Sequence, residues 1–248
     1  MDISVDTDFI VRFTVAFVFS FGVYAPILWF INRGNKNFFY TTCALWGMSV
    51  APLIAWGLKG ADDSQEFLAR GDPLLFANQY VTSAGVSEEV AKTLLILLVA
   101  GCFHGRFNLV RAATSVAMGF IMAENFTYLY IGYDVTYDFL EFVFVRNVFS
   151  APIHIIATNL AVYGLRIPYS WPMWIAVGAT YHNLINALIV SSTDFPVMAE
   201  VGGAALLVGL WAPWLYKRGV DGVYIDCALR PRFDTTVRVL YGGIIKER

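Results

Sequence analysis

The sequence predicts an all-α fold, a polytopic transmembrane helix bundle of about seven spans, and three observations support it. Of the 248 residues, 58% are hydrophobic and 15% are charged, against about 25% charged in soluble domains. The apolar residues form blocks of about 20, enough to cross a bilayer's hydrocarbon core. Lys and Arg collect in alternate loops, as in membrane proteins. A soluble enzyme, a disordered chain and a nucleic-acid-binding domain are thereby excluded.

The apolar blocks, separated by polar breaks, define the spans in order. They run from about Phe9 to Ile31, Asn37 to Leu58, Leu74 to Phe103, Leu109 to Ile131, Phe139 to Leu165, Trp171 to Ser191 and Val201 to Tyr216. The third block is interrupted near Ser83-Ala84-Gly85. It is therefore either one tilted helix, or a short interfacial or re-entrant piece followed by a helix from about Val86. In the second case the bundle has eight segments, and residues 74–85 form a gate or a simple interfacial helix.

Loop charges predict the orientation of the bundle. With the N-terminus outside, the inner segments hold most of the Lys and Arg residues and the outer loops are acidic. We therefore predict an N-outside, C-inside protein of the cell membrane, with one integral membrane domain over residues 1–248 and a cytoplasmic or interfacial tail over 217–248. The N-terminal segment lacks the basic region and cleavage site of a signal peptide, so the first block is expected to remain as a helix.

Polar side chains within the spans carry the functional information, because ionisable groups there cost about 2.5–3.5 kcal/mol each. They are confined to spans three to six: Glu88, Glu89 and Lys92, then Glu124 and Asn125, then Arg146 and His154, then His182, Asn183 and Asn186. At ~1.5 Å per residue, the glutamates and histidines lie roughly 16–24 Å from the inner helix ends. A shared depth on four helices predicts one site.

Spacing and residue type indicate the chemistry of this site. Glu88 and Lys92 are four residues apart, as are His182 and Asn186, so each pair lies on one helix face. In the sequence, serine and cysteine do not share a stripe with either histidine, so a nucleophilic side chain is not indicated. The set instead favours attack by water, with a glutamate as the base and His or Asn donors for the oxyanion.

These residues resemble the PrsW family of intramembrane proteases, in the wider group of CAAX prenyl proteases and bacteriocin-processing enzymes. The matching segments are Glu88 to Lys92 for E-E-x-x-K, Gly119 to Asn125 for G-F-x-x-x-E-N, Arg146 with His154 eight residues later, and His182 to Asn186 for H-x-x-x-N. The resemblance spans residues 88–186 in the family's order. The first two spans and the tail contribute nothing to it.

The resemblance implies a role for each matching residue. Glu88 would activate the water, Glu89 and Glu124 would assist or orient, and His154 would hold water or substrate. His182 and Asn186 would form the oxyanion hole, while Lys92 and Arg146 compensate charge and Asn125 supports the site. The implied partner is a single-span membrane protein, as with the membrane-anchored anti-sigma factors that the family is associated with cleaving near the outer face.

Alternatives remain open at this point. No cofactor is expected, but His154 and His182 with Glu88 or Glu124 make a plausible catalytic zinc set, although the chain lacks H-E-x-x-H. The same groups also build proton relays in transporters, although an inverted repeat is not evident in the sequence. A non-catalytic scaffold that binds a membrane partner through the polar groove is the third. Glu88–Lys92 and Glu124–Arg146 also have a simple structural interpretation as neutralised pairs.

Overall fold

The computed structural model describes residues 7–32, 38–59, 82–103, 105–132, 147, 151–166, 169–190 and 224–227. Within these residues the chain is almost entirely helical, as predicted. The elements in chain order are α1 (Thr7–Asn32), α2 (Phe39–Lys59), α3 (Thr82–Gly101), β1 (Gly105–Asn108), α4 (Leu109–Gly132), α5 (Ala151–Tyr163), α6 (Trp171–Val190) and β2 (Tyr224–Cys227). A short 3-10 turn, Gly164–Arg166, extends α5.

These helices agree with four of the predicted spans and with parts of two others. α1, α2, α4 and α6 begin and end within about two residues of the predicted bounds. In the predicted third and fifth spans, the described helices begin at Thr82 and Ala151. The predicted seventh span, 201–216, the segment 74–81 and most of the tail lie outside the described residues, so the span count and the orientation stay predictions.

The third apolar block is continuous through its small-residue stretch, because α3 already begins at Thr82. Gly85 lies where α3 meets α6, and a β-carbon there would overlap the Asn183 side chain and lie 3.2 Å from the Ala179 carbonyl oxygen. The small residues that looked like an interruption therefore serve close helix packing, as small residues do in membrane bundles.

α4 is the central helix of the described bundle. α1 and α2 both pack against it, α5 packs against it from another side, and α3 and α6 complete the assembly. Two glycines allow the closest approach: a β-carbon on Gly47 of α2 would overlap the Val116 backbone, and one on Gly119 of α4 would overlap the Ala44 backbone. These reciprocal contacts fix α2 tightly against the helix that carries Glu124.

One end of the bundle is closed by aromatic rings and a two-stranded sheet. Phe39 stacks on Phe107 with ring centroids 3.8 Å apart, and the Tyr40 hydroxyl accepts a hydrogen bond of 2.7 Å from the Asn108 backbone N–H. β1 pairs antiparallel with β2, with Gly105 opposite Cys227 and Asn108 opposite Tyr224. The pairing lays residues 224–227 beside the connection from α3 to α4, and the sequence prediction assigns both segments to the inner side.

The outer faces of α1 and α2 are apolar and open. Windows Phe13–Phe30 and Phe39–Leu58 have mean hydropathies of 1.8 and 1.3, and only 22% of each is buried. Large side chains such as Trp29, Phe30 and Trp56 are more than half exposed. A soluble core helix would bury these residues, so both helices have the length and surface of membrane-spanning segments.

Candidate active site

Four helices bring their polar side chains to one cluster, as the shared depth predicted. α3 supplies Glu88, Glu89 and Lys92, and α4, α5 and α6 supply Glu124, His154 and His182. Glu88 lies in the first half of α3 and Glu124 in the second half of α4. α3 ends just before β1, and α4 begins just after it. Both carboxylates are therefore several turns away from the end of the bundle that the strands close.

Lys92 lies at the centre of the cluster and is fully buried. Its Nζ lies 2.8 Å from Glu89 Oε1, 3.4 Å from Glu88 Oε2 and 3.0 Å from His154 Nδ1. The predicted pair with Glu88 is therefore present, but the shorter ion pair is with Glu89, three residues away. Its Nζ also lies 4.2 Å from the centre of the Phe120 ring. The ammonium thus joins three helices, α3, α4 and α5.

Glu89 is the most enclosed carboxylate of the cluster, with no exposed surface. Its Oε1 lies 3.0 Å from His182 Nδ1, and its Oε2 accepts a hydrogen bond of 2.9 Å from the Thr158 hydroxyl. Both oxygens thus have partners besides the Lys92 ammonium. Glu89 is thus saturated by three partners from three side chains of the cluster.

Thr158 was missed by the sequence analysis, which considered serine and cysteine only. It lies four residues after His154, on the same face of α5, and it is fully buried. That spacing was the available signal in the sequence. It is a weak signal, because a threonine that only packs within an apolar helix can have the same spacing. The Thr158 hydroxyl on α5 donates its hydrogen bond to Glu89 on α3.

The contacts of the two histidines fix their hydrogen positions. A charged Lys92 has no acceptor, so the Nδ1 atom of a neutral His154 accepts and its hydrogen lies on Nε2, which is 2.9 Å from Glu124 Oε2. An ionised Glu89 only accepts, so the hydrogen of a neutral His182 lies on Nδ1. His182 Nε2 then carries a lone pair and faces Glu88 Oε2 at 3.9 Å.

Glu88 and Glu124 are the described acidic groups of the cluster with access to solvent. Their side chains are 14% and 17% exposed, whereas those of Glu89 and Lys92 are fully buried and His154 and His182 are nearly so. Both carboxylates line a cavity of about 250 Å³ between α2, α3 and α4. A water molecule or a substrate therefore meets these carboxylates before it meets the rest of the cluster.

Three members of the cluster also fit a metal ion. Glu88, His154 and His182 each offer one ligand atom, and these atoms lie within 4.8 Å of one another. Two histidines with a glutamate form a known catalytic zinc set, and ligating histidines usually donate their other N–H to a carboxylate. Glu89 Oε1 lies 3.0 Å from His182 Nδ1, and Glu124 Oε2 lies 2.9 Å from His154 Nε2. The chemistry of these donors therefore suits zinc, although the Lys92 ammonium contacts the His154 nitrogen that faces Glu88.

The remaining predicted residues are placed only in part. Asn125 is buried, and its amide donates a hydrogen bond of 3.3 Å to the Tyr24 hydroxyl, so it ties α4 to α1. Asn186 belongs to α6, one turn after His182, and its side chain lies outside the described residues. Arg146 lies outside them as well, so its supporting role stays a prediction and its pairing with Glu124 stays an alternative.

Comparison with known families places most of the chain within a family model. A family model described as "PrsW family intramembrane metalloprotease" matches residues 37–212, which include α2 to α6 and every residue of the cluster. Comparison with curated proteins gives no match. Comparison with solved structures gives none either.

Proposed function

This chain belongs to the PrsW family of intramembrane proteases, and we propose that it cleaves membrane-anchored protein substrates by attack of a water molecule activated at Glu88. One observation carries the proposal. Glu88 is a partly exposed carboxylate that lines the cavity beside Glu124, and the other described members of the cluster behind them are buried. A general base must reach both the water and the substrate, and the Glu88 position meets that requirement.

We assign the water to the space between Glu88 and His182. The Glu88 Oε2 and His182 Nε2 atoms lie 3.9 Å apart, a separation that one water molecule can bridge by donating to both. The water then directs an oxygen lone pair at the substrate carbonyl. Glu88 takes the water proton as the C–O bond forms, and it returns a proton to the amide nitrogen as the C–N bond breaks.

We propose a role for His182 that differs from the oxyanion-hole role implied by the family resemblance. In its neutral form this histidine uses its N–H for Glu89, so Nε2 accepts a hydrogen bond. The three N–H groups of Lys92 face Glu88, Glu89 and His154. We therefore assign the oxyanion donor to Asn186, one turn after His182 on the same face of α6.

The substrate class and the location belong to the same proposal. We propose a multi-pass protein of the cell membrane whose substrates are single-span proteins of the anti-sigma-factor kind, cut towards the outer face. The support is the family membership, the two apolar open helices and the distance of the cluster from the strand-closed end. The organisation of residues 1–248 as one membrane domain also remains a prediction.

A metal-dependent form of this peptidase is the second candidate, and a specific observation favours it. Glu88, His154 and His182 converge, and the described members of the cluster include three carboxylates and one ammonium. A zinc ion there would be held by these three side chains and would lower the pKa of a bound water. Loss of both bound zinc and proteolysis on chelation, with both restored by zinc, would establish this form.

The primary experiment compares membranes that contain the wild-type protein, Glu88→Gln or Cys102→Ala at matched expression, and maps new protein N-termini. Cys102 is exposed at the far end of α3 and serves as the control. We expect new termini near the outer ends of single-span proteins with the wild type and Cys102→Ala, and none with Glu88→Gln. Equal sets of termini for all three proteins would overturn the proposal.

A further inference from the structure

One wall of the cavity beside Glu88 is formed by residues outside the proposed catalytic set. That wall is α2, which contributes Pro52, Ala55 and Trp56. The opposite wall belongs to α4, where Phe120 and Ala123 lie beside Glu124. α2 has none of the residues that resemble the family's motifs, so its function at the site follows from the packing alone.

The shape of the cavity limits what it can hold. Its volume is about 250 Å³, and a cavity of about 150 Å³ in another protein holds benzene, so one large apolar side chain fits. A whole helix, about 10–12 Å across, does not. An entering substrate therefore presents a side chain to the cavity while the body of its membrane segment stays outside.

The rim of the cavity lies on the exposed surface of the described bundle. Trp56 of α2 is 68% exposed and Tyr128 of α4 is 41% exposed, and both line the cavity. Deeper in, Ala55 is buried at 6%. The path from rim to base thus leads from exposed aromatic rings, past a small alanine, to the Glu88 carboxylate.

We propose that α2 forms the specificity wall of the protease, with Ala55 and Trp56 receiving the apolar side chain next to the peptide bond that meets Glu88. The occupant is an apolar residue of a membrane-anchored substrate, since the α2 wall is apolar, Phe120 and Ala123 line the cavity from α4, and the rim lies on the surface of a candidate span. The inference rests on the proposed function. Beyond that function, the inference is that α2, a helix outside the catalytic motifs, selects the size of the substrate side chain.

Photo-crosslinking tests the docking without requiring cleavage. The probe is a synthetic single-span peptide of about 20 Leu and Ala residues with one photoreactive leucine. We expect it to label Trp56 and Tyr128 at least ten-fold more than Leu53, which is 66% exposed on α2 and does not line the cavity. Ala55→Leu should reduce Trp56 labelling about ten-fold by filling the cavity. Ala123→Leu fills it from the opposite wall, and serves if Ala55→Leu does not fold.

Cleavage then tests the selection of size. In the substrate found by mapping termini, the residue beside the cut is changed to Ala, Leu or Phe. Ala55→Leu should lower kcat/KM for the Phe substrate at least ten-fold more than for the Ala substrate, and Leu53→Phe should leave their ratio unchanged. Equal labelling of Leu53 and Trp56, or a ratio that Ala55→Leu does not move, overturns the inference. Cavity labelling without any cleavage would instead reject the proposed reaction and keep the docking site.

Discussion

Glu89 Oε1 lies 3.0 Å from His182 Nδ1, although the two residues are 93 positions apart in the chain. The contact joins α3 to α6 within a buried cluster, and it turns Nε2 of the histidine towards Glu88. The adjacent glutamates thus have different surroundings, since Glu89 is sealed and saturated while Glu88 reaches the cavity. In the proposed reaction, this difference assigns Glu89 to positioning and Glu88 to the contact with water.

Substitution of each glutamate by glutamine should therefore have different effects on stability. Glu89→Gln leaves a buried ammonium without its shortest ion pair, and such a loss costs about 3–5 kcal/mol. Glu88→Gln alters a partly exposed group whose contact with Lys92 is 3.4 Å, so it should abolish proteolysis with a much smaller change in unfolding temperature. Thermal unfolding in detergent measures both. An equal loss of stability in the two variants would contradict this assignment.

The two site histidines should carry opposite neutral tautomers. Lys92 assigns the hydrogen of His154 to Nε2, and Glu89 assigns that of His182 to Nδ1. The chain has three histidines, so selective ¹⁵N labelling gives few enough imidazole signals for assignment by His→Gln variants. Two site signals of the same tautomer would refute the arrangement.

Thr158 is expected to act as a positioning residue for Glu89. Thr158→Val removes its hydroxyl and leaves a buried carboxylate oxygen with one partner fewer, at a cost of about 1–3 kcal/mol. We expect kcat to fall with little change in KM, together with a shift of the His182 ¹⁵N signals. Thr158→Ser keeps the donor and should restore both. Thr158→Val preserves the shape of the side chain. If Thr158 had only a packing role, this variant would therefore have near-normal kcat, KM and ¹⁵N signals.

Much of this arrangement follows from the sequence, because polar residues within apolar helices are costly and converge where they can pair. The four motif-bearing helices and the meeting of Glu88, Glu124, His154 and His182 were predictable on that ground. The preference of Lys92 for Glu89 over Glu88 was not, since helical spacing permits both.

Other features depend on tertiary packing that carries no local signal. The cavity wall on α2 consists of ordinary apolar residues, and only its contact with α4 gives them a role. The pairing of Gly105–Asn108 with Tyr224–Cys227 joins two four-residue segments far apart in the chain, each too short for a periodic pattern. Gly85 is a similar case, because its close packing against α6 cannot be predicted from the residues around it in the sequence.

Replacement of Lys92 should change the affinity of the cluster for zinc. Its ammonium lies 3.0 Å from the His154 Nδ1 atom that faces Glu88, and it repels a cation at that position. We expect Lys92→Met to bind Zn²⁺ roughly 10–100-fold more tightly than the wild type, the range that groups around metal ligands produce. Competition with a chelator and elemental analysis measure it. A wild type that retains one zinc per chain, and loses it in Lys92→Met, would reverse the expectation.

The packing of α2 against α4 gives a prediction with a matched control on one helix. A β-carbon on Gly47 would overlap the Val116 backbone, whereas one on Gly57 meets no atom within 4 Å among the described residues. Gly47→Ala should therefore destabilise the protein by about 1–3 kcal/mol through overpacking, and Gly57→Ala should be neutral or slightly stabilising because alanine favours a helix. Because α2 also forms the cavity wall, Gly47→Ala should raise KM for membrane substrates as α2 is pushed outward. Unfolding in detergent and cleavage kinetics measure these effects, and equal behaviour of the two variants would show that α2 is not held against α4 by this contact.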